Sequence, residues 1–281
     1  MIKYYELSGT IDVIGITSNI TVFNKINGFS YLPKASLPKI DFDIIIIMAE
    51  NKAFIEIASE AAALGIPNEK LISYRVFTLP NFNLQTYLEI RESKPTIFSN
   101  NCWGGITYHH LKLEFTSPLI NMYENSRDYI KLLKNPEKYM NSKLTLKEEC
   151  YEPTLKRNYP ICYCDDILLH FNHDTSFEEA NESWERRKKR INWNNLFVMM
   201  YTESEEIAME FAKLPYERKI CFVPFPSSEK SLVYVDFCNK NEMADIPFWK
   251  IVNGMAADIY PYYDILELLS HGNISKISTI E

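Results

Sequence analysis

Four consecutive isoleucines, Ile44 to Ile47, run into Met48 and Ala49 to make the longest uninterrupted apolar stretch of the chain. A β-branched run without polar alternation predicts a strand covered on both faces, as in a parallel sheet. The adjoining segments narrow the fold further. Phe54, Ile57, Ala58, Ala61, Ala62 and Leu64 recur at helical spacing, Gly65-Ile66-Pro67 is a helix stop, and Leu71-Ile72 opens another apolar segment. Strand, helix and strand within about 30 residues is the length of one right-handed crossover. With a further apolar run at 11–16, residues 1–90 are expected to form a small Rossmann-like module. Its nearest approach to a phosphate loop, Gly15-Ile16-Thr17-Ser18-Asn19, has one glycine where nucleotide cradles need two or three.

Beyond residue 90 apolar and amphipathic segments alternate. Strands are expected at 95–99, 166–171, 195–201, 219–224 and 231–237, with helices near 104–112, 126–134, 176–190, 203–213 and 255–270. The class is therefore α/β, and residues 91–281 are expected to form a larger three-layer α/β domain. A length of 281 residues suits two domains.

The isoleucine run is far shorter than the roughly 20 residues of a membrane span. The first residues, Met1-Ile2-Lys3-Tyr4-Tyr5-Glu6, lack the pattern of a secretory signal, so no membrane span and a cytoplasmic location are expected. Six cysteines in a chain of this size need no disulfide framework and are read as free thiols. A net charge of −7 disfavours nucleic acid as a partner.

The most informative stretch is Ser99-Asn100-Asn101-Cys102-Trp103-Gly104-Gly105, between an apolar strand and an amphipathic helix. Ligands of open α/β sheets bind at the carboxyl ends of strands. Here Asn100 and Asn101 offer amide donors, Cys102 a nucleophile beside a helix N-terminus, Trp103 a stacking face, and Gly104 and Gly105 an approachable backbone. The alternative is a tight glycine turn in which Cys102 and Trp103 are packing residues. His109 and His110 cannot serve Cys102 from the same helix, because seven residues rise about 10 Å. A base for Cys102 must come from elsewhere.

A second constellation runs from Cys162-Tyr163-Cys164-Asp165-Asp166 to His170-Phe171-Asn172-His173-Asp174. Its ligand types suit zinc, but its spacing matches no structural zinc pattern, so no metal site is assigned. Asp166, His170 and His173 are instead candidate acid or base groups at strand ends, or hydrogen-bonded core residues. Ser176-Phe177-Glu178-Glu179 is a capping box, and the helix it opens is expected to bury Phe177, Ala180 and Trp184. That helix ends in Arg186-Arg187-Lys188-Lys189-Arg190. Cations there are favoured by the macrodipole, and Arg186, Arg187 and Arg190 are also candidates for a phosphate clamp. The aromatic group Tyr260-Pro261-Tyr262-Tyr263 suits sugar stacking or a core.

Several of these blocks resemble a bacterial family of exopolysaccharide biosynthesis proteins that carry a domain of unknown function. The similarity rests on residues 99–105, Ser117-Pro118-Leu119, Tyr129-Ile130-Lys131-Leu132-Leu133, Tyr159-Pro160-Ile161, Asp165-Asp166, His170-Phe171, His173, residues 176–180, and Trp184 to Asn192, spanning about residues 90–226. The resemblance implies a place in surface polysaccharide assembly and names no cofactor or reaction. The leading expectation is a cytoplasmic transferase acting on a nucleotide- or lipid-phosphate-linked sugar. In it the 100–105 corner holds substrate, Asp166 or His170 is the base, and the arginines neutralise phosphate. An acyltransferase using Cys102 and a non-catalytic assembly module are the alternatives.

Overall fold

The computed structural model describes residues 9–19, 25–26, 28–153, 156–238, 243, 245–257, 259, 262–272 and 274. It divides into two compact units, Met1–Leu84 and Gln85–Glu281. Parallel and antiparallel sheets alternate with helices, and the class is α/β.

In the first unit, β1 (Lys25–Ile26) and β2 (Phe29–Ser30) pair antiparallel. The isoleucine run supplies β3 (Ile45–Ile47), followed by α1 (Asn51–Ala63) and by β4 (Leu71–Ser73), which pairs parallel with β3. The helix stops as the sequence predicts. Gly65 takes a left-handed φ of 80°, its N–H donates to Ala62 O at 2.9 Å, and Ile66 N–H donates to Ala61 O at 3.0 Å, a glycine C-cap of Schellman form.

Two expectations change here. Residues 11–16 do not form a strand; only Ile16 makes a bridge, to Tyr31. Gly15 has a packing reason for its identity, since a Cβ there would lie 2.6 Å from the Leu32 side chain. Ile45 and Ile46 are half-buried and only Ile47 is buried. The reason is that, among the described residues, β3 belongs to a two-stranded sheet.

The second unit opens with α2 (Leu84–Ser93), so residue 90 lies inside a helix. Its buried Tyr87 donates to Leu111 O at 3.0 Å. β5 (Thr96–Ser99) leads into α3 (Trp103–Leu111), and α4 (Ser126–Lys134) and α5 (Pro136–Asn141) follow. β6 (Leu144–Glu152), β7 (Arg157–Cys164) and β8 (Ile167–His170) make an antiparallel three-stranded sheet. Then come α6 (Phe177–Lys188), β9 (Leu196–Tyr201), α7 (Glu205–Ala212), β10 (Lys219–Val223) and β11 (Leu232–Tyr234). These last strands and β5 form a parallel sheet in the order β11-β10-β9-β5. The expected helix at 255–270 is instead two, α8 (Phe248–Ala256) and α9 (Ile265–His271). Asp264 caps the second, its carboxylate accepting from Leu266 and Glu267 N–H groups.

One core of this unit joins both sheets: Phe98, Val198 and Met200 from the parallel strands pack with Cys162, Leu169 and Trp184 from the antiparallel side. The carboxyl ends of β5 and β8 are thereby brought to a common region. Among the described residues, no helix is long and apolar enough to cross a membrane.

Candidate functional site

β5 is buried along its whole length, and the chain leaving it turns at once into α3. Three side chains build that turn. Ser99 Oγ donates to Asn101 O at 2.9 Å and accepts from Gly104 N–H at 3.1 Å, while Asn101 Oδ1 accepts from Trp103 N–H at 3.1 Å. Asn100 is bonded through both ends of its amide to the backbone of Tyr201 at the end of β9. The result is a rigid corner that fixes Cys102 at the start of α3, where it is partly exposed.

The base arrives from the other sheet. β8 ends at His170, whose backbone pairs in both directions with Tyr123 at 3.0 Å, and the chain then turns so that His173 Nε2 stands 3.7 Å from Cys102 Sγ. This is the contact range of a thiol and a ring nitrogen, made across 71 residues of sequence. Burial and the nearby Glu124 push the thiol pKa up, and partial burial, with Arg157 and Arg187, pulls His173 down. The resting pair is therefore neutral thiol and neutral imidazole. In that state the histidine is able to accept a proton.

Cys102 and His173 open on a cavity of about 780 Å³, also lined by Gly105, His109, Phe115, Asn121, Arg186, Arg187, Arg190 and Asn253, within the size range of small-molecule sites. The arginines come from the end of α6. Ser176 Oγ caps that helix by accepting from Glu179 N–H at 3.2 Å, and Glu179 reaches back to Thr175 N–H at 2.8 Å. Ala180 and Trp184 are buried, with Phe177 packed against the core, so the opposite face carries the arginines. Arg187, half-buried, donates to Ile120 O at 2.7 Å, and its charge faces Asp174. Among the described residues the lining carries guanidinium groups and no carboxylate, a chemistry that suits an anionic ligand.

Of the sequence candidates, Cys102, His173, Gly105 and the three arginines meet in this cavity. The others are placed differently. Asp166 sits in the β7–β8 turn, hydrogen-bonded by Tyr139 at 2.9 Å and paired with Lys131 and Lys138, each at 3.2 Å. These contacts hold its carboxyl well below the usual range and make it a poor base. His170 lies at the far end of β8, its ring stacked on Tyr123 with centroids 4.4 Å apart. Trp103 is fully buried and donates its indole N–H to Tyr263 at 2.9 Å. It packs the core and offers no stacking face. Asn100, Asn101 and Gly104 build the corner and do not line the cavity. Of the aromatic group at 260–263, Tyr260 and Pro261 lie outside the described residues, and Tyr262 donates to Tyr234 O at 2.7 Å. All six cysteines are free; Cys162 and Cys164 are buried, with thiols pushed up to about 12 by burial.

Phe115, Asn121 and Asn253 line the cavity without a motif to announce them, and Glu124 is the least expected group nearby. It is 2% exposed, and among the described residues no other group donates a hydrogen bond to either carboxylate oxygen. A single Glu between Tyr123 and Asn125 gives no local sign of burial.

Among known proteins, the chain is similar to an "Uncharacterized protein" of Haemophilus influenzae, 30% identical over 181 residues, which are 63% of this chain and 84% of that one. A family described as "Domain of unknown function (DUF1919)" matches residues 73–270, a stretch that contains Cys102, His173, the three arginines and Asn253. With that match covering well over half of its length, the chain belongs to the DUF1919 family.

Proposed function

We propose that this protein is a group-transfer enzyme that uses Cys102 as nucleophile and His173 as its base on a phosphate-bearing substrate. The observation that carries this reading is the 3.7 Å approach of Cys102 Sγ to His173 Nε2 inside the arginine-lined cavity. Acyl transfer fits these groups. As Sγ attacks an acyl carbonyl, His173 takes the thiol proton, then gives it to the leaving group as a thioester forms. In the second half an acceptor hydroxyl attacks the thioester and passes its proton through His173 to the departing sulfur. The arginines hold the phosphate of the donor or of a nucleotide- or lipid-linked sugar acceptor. In that form the reading keeps the role in surface polysaccharide assembly that the sequence resemblance implies.

A second reading is direct glycosyl transfer, with His173 activating the acceptor and Cys102 a bystander. It is favoured by His173 being exposed in the same cavity as the arginines. Convergent polar groups weigh against a purely structural assembly module.

The test begins with a thermal-shift screen of nucleotide sugars, free nucleotides and acyl-coenzyme A compounds. A ligand at 100 times its Kd adds about 2.7 kcal/mol. The stabilising donor is then incubated with wild type, Cys102→Ala and His173→Ala, and the intact protein is weighed. Acyl transfer predicts a covalent adduct that Cys102→Ala abolishes, with turnover falling at least ~10²-fold in both variants. Full turnover in Cys102→Ala with loss in His173→Ala selects glycosyl transfer. Full turnover in both variants overturns the site assignment.

A further inference from the structure

The buried carboxyl of Glu124 is unused by this chemistry. It follows Tyr123, whose backbone pairs with His170, and its own N–H donates to Asn100 O at 3.4 Å. That carbonyl is two residues before Cys102, so Glu124 backs directly onto the corner that presents the thiol. An ionised carboxylate at 2% exposure, with no donor from another of the described residues on either oxygen, is strongly disfavoured. The group therefore rests as the neutral acid. The titratable neighbours are Asp128 and Tyr129 on α4, Tyr123 beside it, Tyr201 at the end of β9, and Cys102 itself. Asp128 adds negative charge and further disfavours ionisation.

We propose that Glu124 is a positioning residue that sets the thiolate population of Cys102: protonated, it lets the thiolate form, and once ionised it suppresses it. The coupling is mutual. A thiolate at Cys102 holds the proton on Glu124, so the two groups do not both carry charge. The carboxyl's pKa, raised to about 8 by burial and Asp128, puts the switch just above neutral. This inference rests on Cys102 being the reactive thiol of the site, yet its test needs no substrate.

The experiment follows iodoacetamide alkylation of Cys102 in the full-length protein from about pH 6 to pH 9.5, read by peptide mass spectrometry so that the other five cysteines are separated. In Glu124→Gln the rate should match wild type near pH 6.5 and exceed it by about tenfold near pH 9, where only the wild type carries the second charge. A purely structural role would change the rate by the same factor at every pH. In parallel, wild-type protein labelled with ¹³C at glutamate carboxyls should keep one protonated carboxyl signal at pH 6.5 that titrates near pH 8. That measurement stands even where Glu124→Gln fails to fold. Rates that differ by a constant factor, or identical profiles, overturn the proposal, as does a wild type with every glutamate ionised at pH 6.5. Turnover retained by Cys102→Ala alongside the pH-dependent difference would defeat the transferase reading and leave this coupling intact.

Discussion

Asn100 is bonded to the Tyr201 backbone through both halves of its side-chain amide: Nδ2 donates to Tyr201 O at 3.1 Å and Oδ1 accepts from Tyr201 N–H at 3.0 Å. This pair ties the exit of β5 to the end of β9, its neighbour in the parallel sheet. Asn100→Ala leaves the part-buried N–H and C=O of Tyr201 without these partners, so a loss of about 1–3 kcal/mol in urea unfolding is expected. Ligand affinity should fall only as far as Cys102 is displaced. A variant of normal stability with abolished binding would return Asn100 to the role of substrate ligand.

Gly104 is fixed by a close approach at the same corner. A Cβ there would stand 2.6 Å from Ser99 Oγ and 3.2 Å from Ile97 Cγ2. The serine hydroxyl cannot yield without losing its bonds to Asn101 O and Gly104 N–H. Gly104→Ala should therefore destabilise by about 1–3 kcal/mol. The neighbouring Gly105→Ala is the milder comparison, because its Cβ would press only on the Ile120 side chain, at 3.3 Å, which a shift of a few tenths of an ångström relieves. Thermal unfolding of the two variants decides the point, and equal stability would mean that the corner is looser than its hydrogen bonds imply.

Much of this unit is legible in the sequence, because its parallel strands are short apolar runs and its helices carry caps. Ser176 and Glu179 mark α6, and Thr96 to Ser99 followed by two glycines marks the corner. The antiparallel hairpin is not legible in that way. Along β6 only Leu144 is buried, while Thr145 to Glu149 are exposed, so no period-2 alternation signals the strand; pairing with β7 makes it one. The place of Asp166 is hidden for a related reason, since two consecutive aspartates beside an apolar strand read as candidate acid or base groups and the structure puts them in the β7–β8 turn, with Asp165 at a φ of 57°. The meeting of Cys102 with His173 is tertiary. Each was a candidate alone, but only the shared core of the two sheets aligns them.

Asp166 gives a direct check on the assignment of the base. Its carboxylate is bound by Tyr139, Lys131 and Lys138 at the surface, while β8 separates it from His170 by about 13 Å at 3.3 Å per residue. Asp166→Ala should leave turnover within about twofold of wild type, whereas His173→Ala loses at least ~10²-fold. The reverse order in a steady-state assay would restore Asp166 as the base.

Arg187 and Arg190 should differ as ligand contacts. Arg187 is half-buried and anchored on Ile120 O, whereas Arg190 is exposed, with a long 3.5 Å contact to Phe115 O. Charge buried beside a ligand counts for more than charge screened by water. Arg187→Lys keeps the charge but loses the planar fork and should weaken an anionic ligand at least ~10-fold by calorimetry. Arg190→Ala should cost less than Arg187→Lys. Equal losses would indicate a ligand held at the mouth of the cavity.

Glu124 should also appear in the pH dependence of stability. Its carboxyl is raised to about 8 in the folded protein from an ordinary value of 4.5. Between those values the unfolded chain has released a proton that the native state keeps, so stability falls as pH rises from 4.5 to 8 and levels off above it. At about 1.4 kcal/mol per decade of pH, the loss has an upper bound of about 5 kcal/mol. His170 and His173, both lowered mainly by burial, act in the opposite sense, since stability lost to their protonation returns as pH rises toward their ordinary value of 6.5. That contribution is complete by about pH 7. In the window from about pH 7 to 8 Glu124 therefore gives the largest slope, and the thiols raised by burial, Cys102, Cys162, Cys164, Cys221 and Cys238, add a smaller fall in the same sense. Urea unfolding of wild type should lose stability across this window, and Glu124→Gln should remove most of that slope while losing about 1–3 kcal/mol overall from its unsatisfied amide. Parallel slopes in the two proteins would show that Glu124 is already ionised at neutral pH and that a donor reaches its carboxylate.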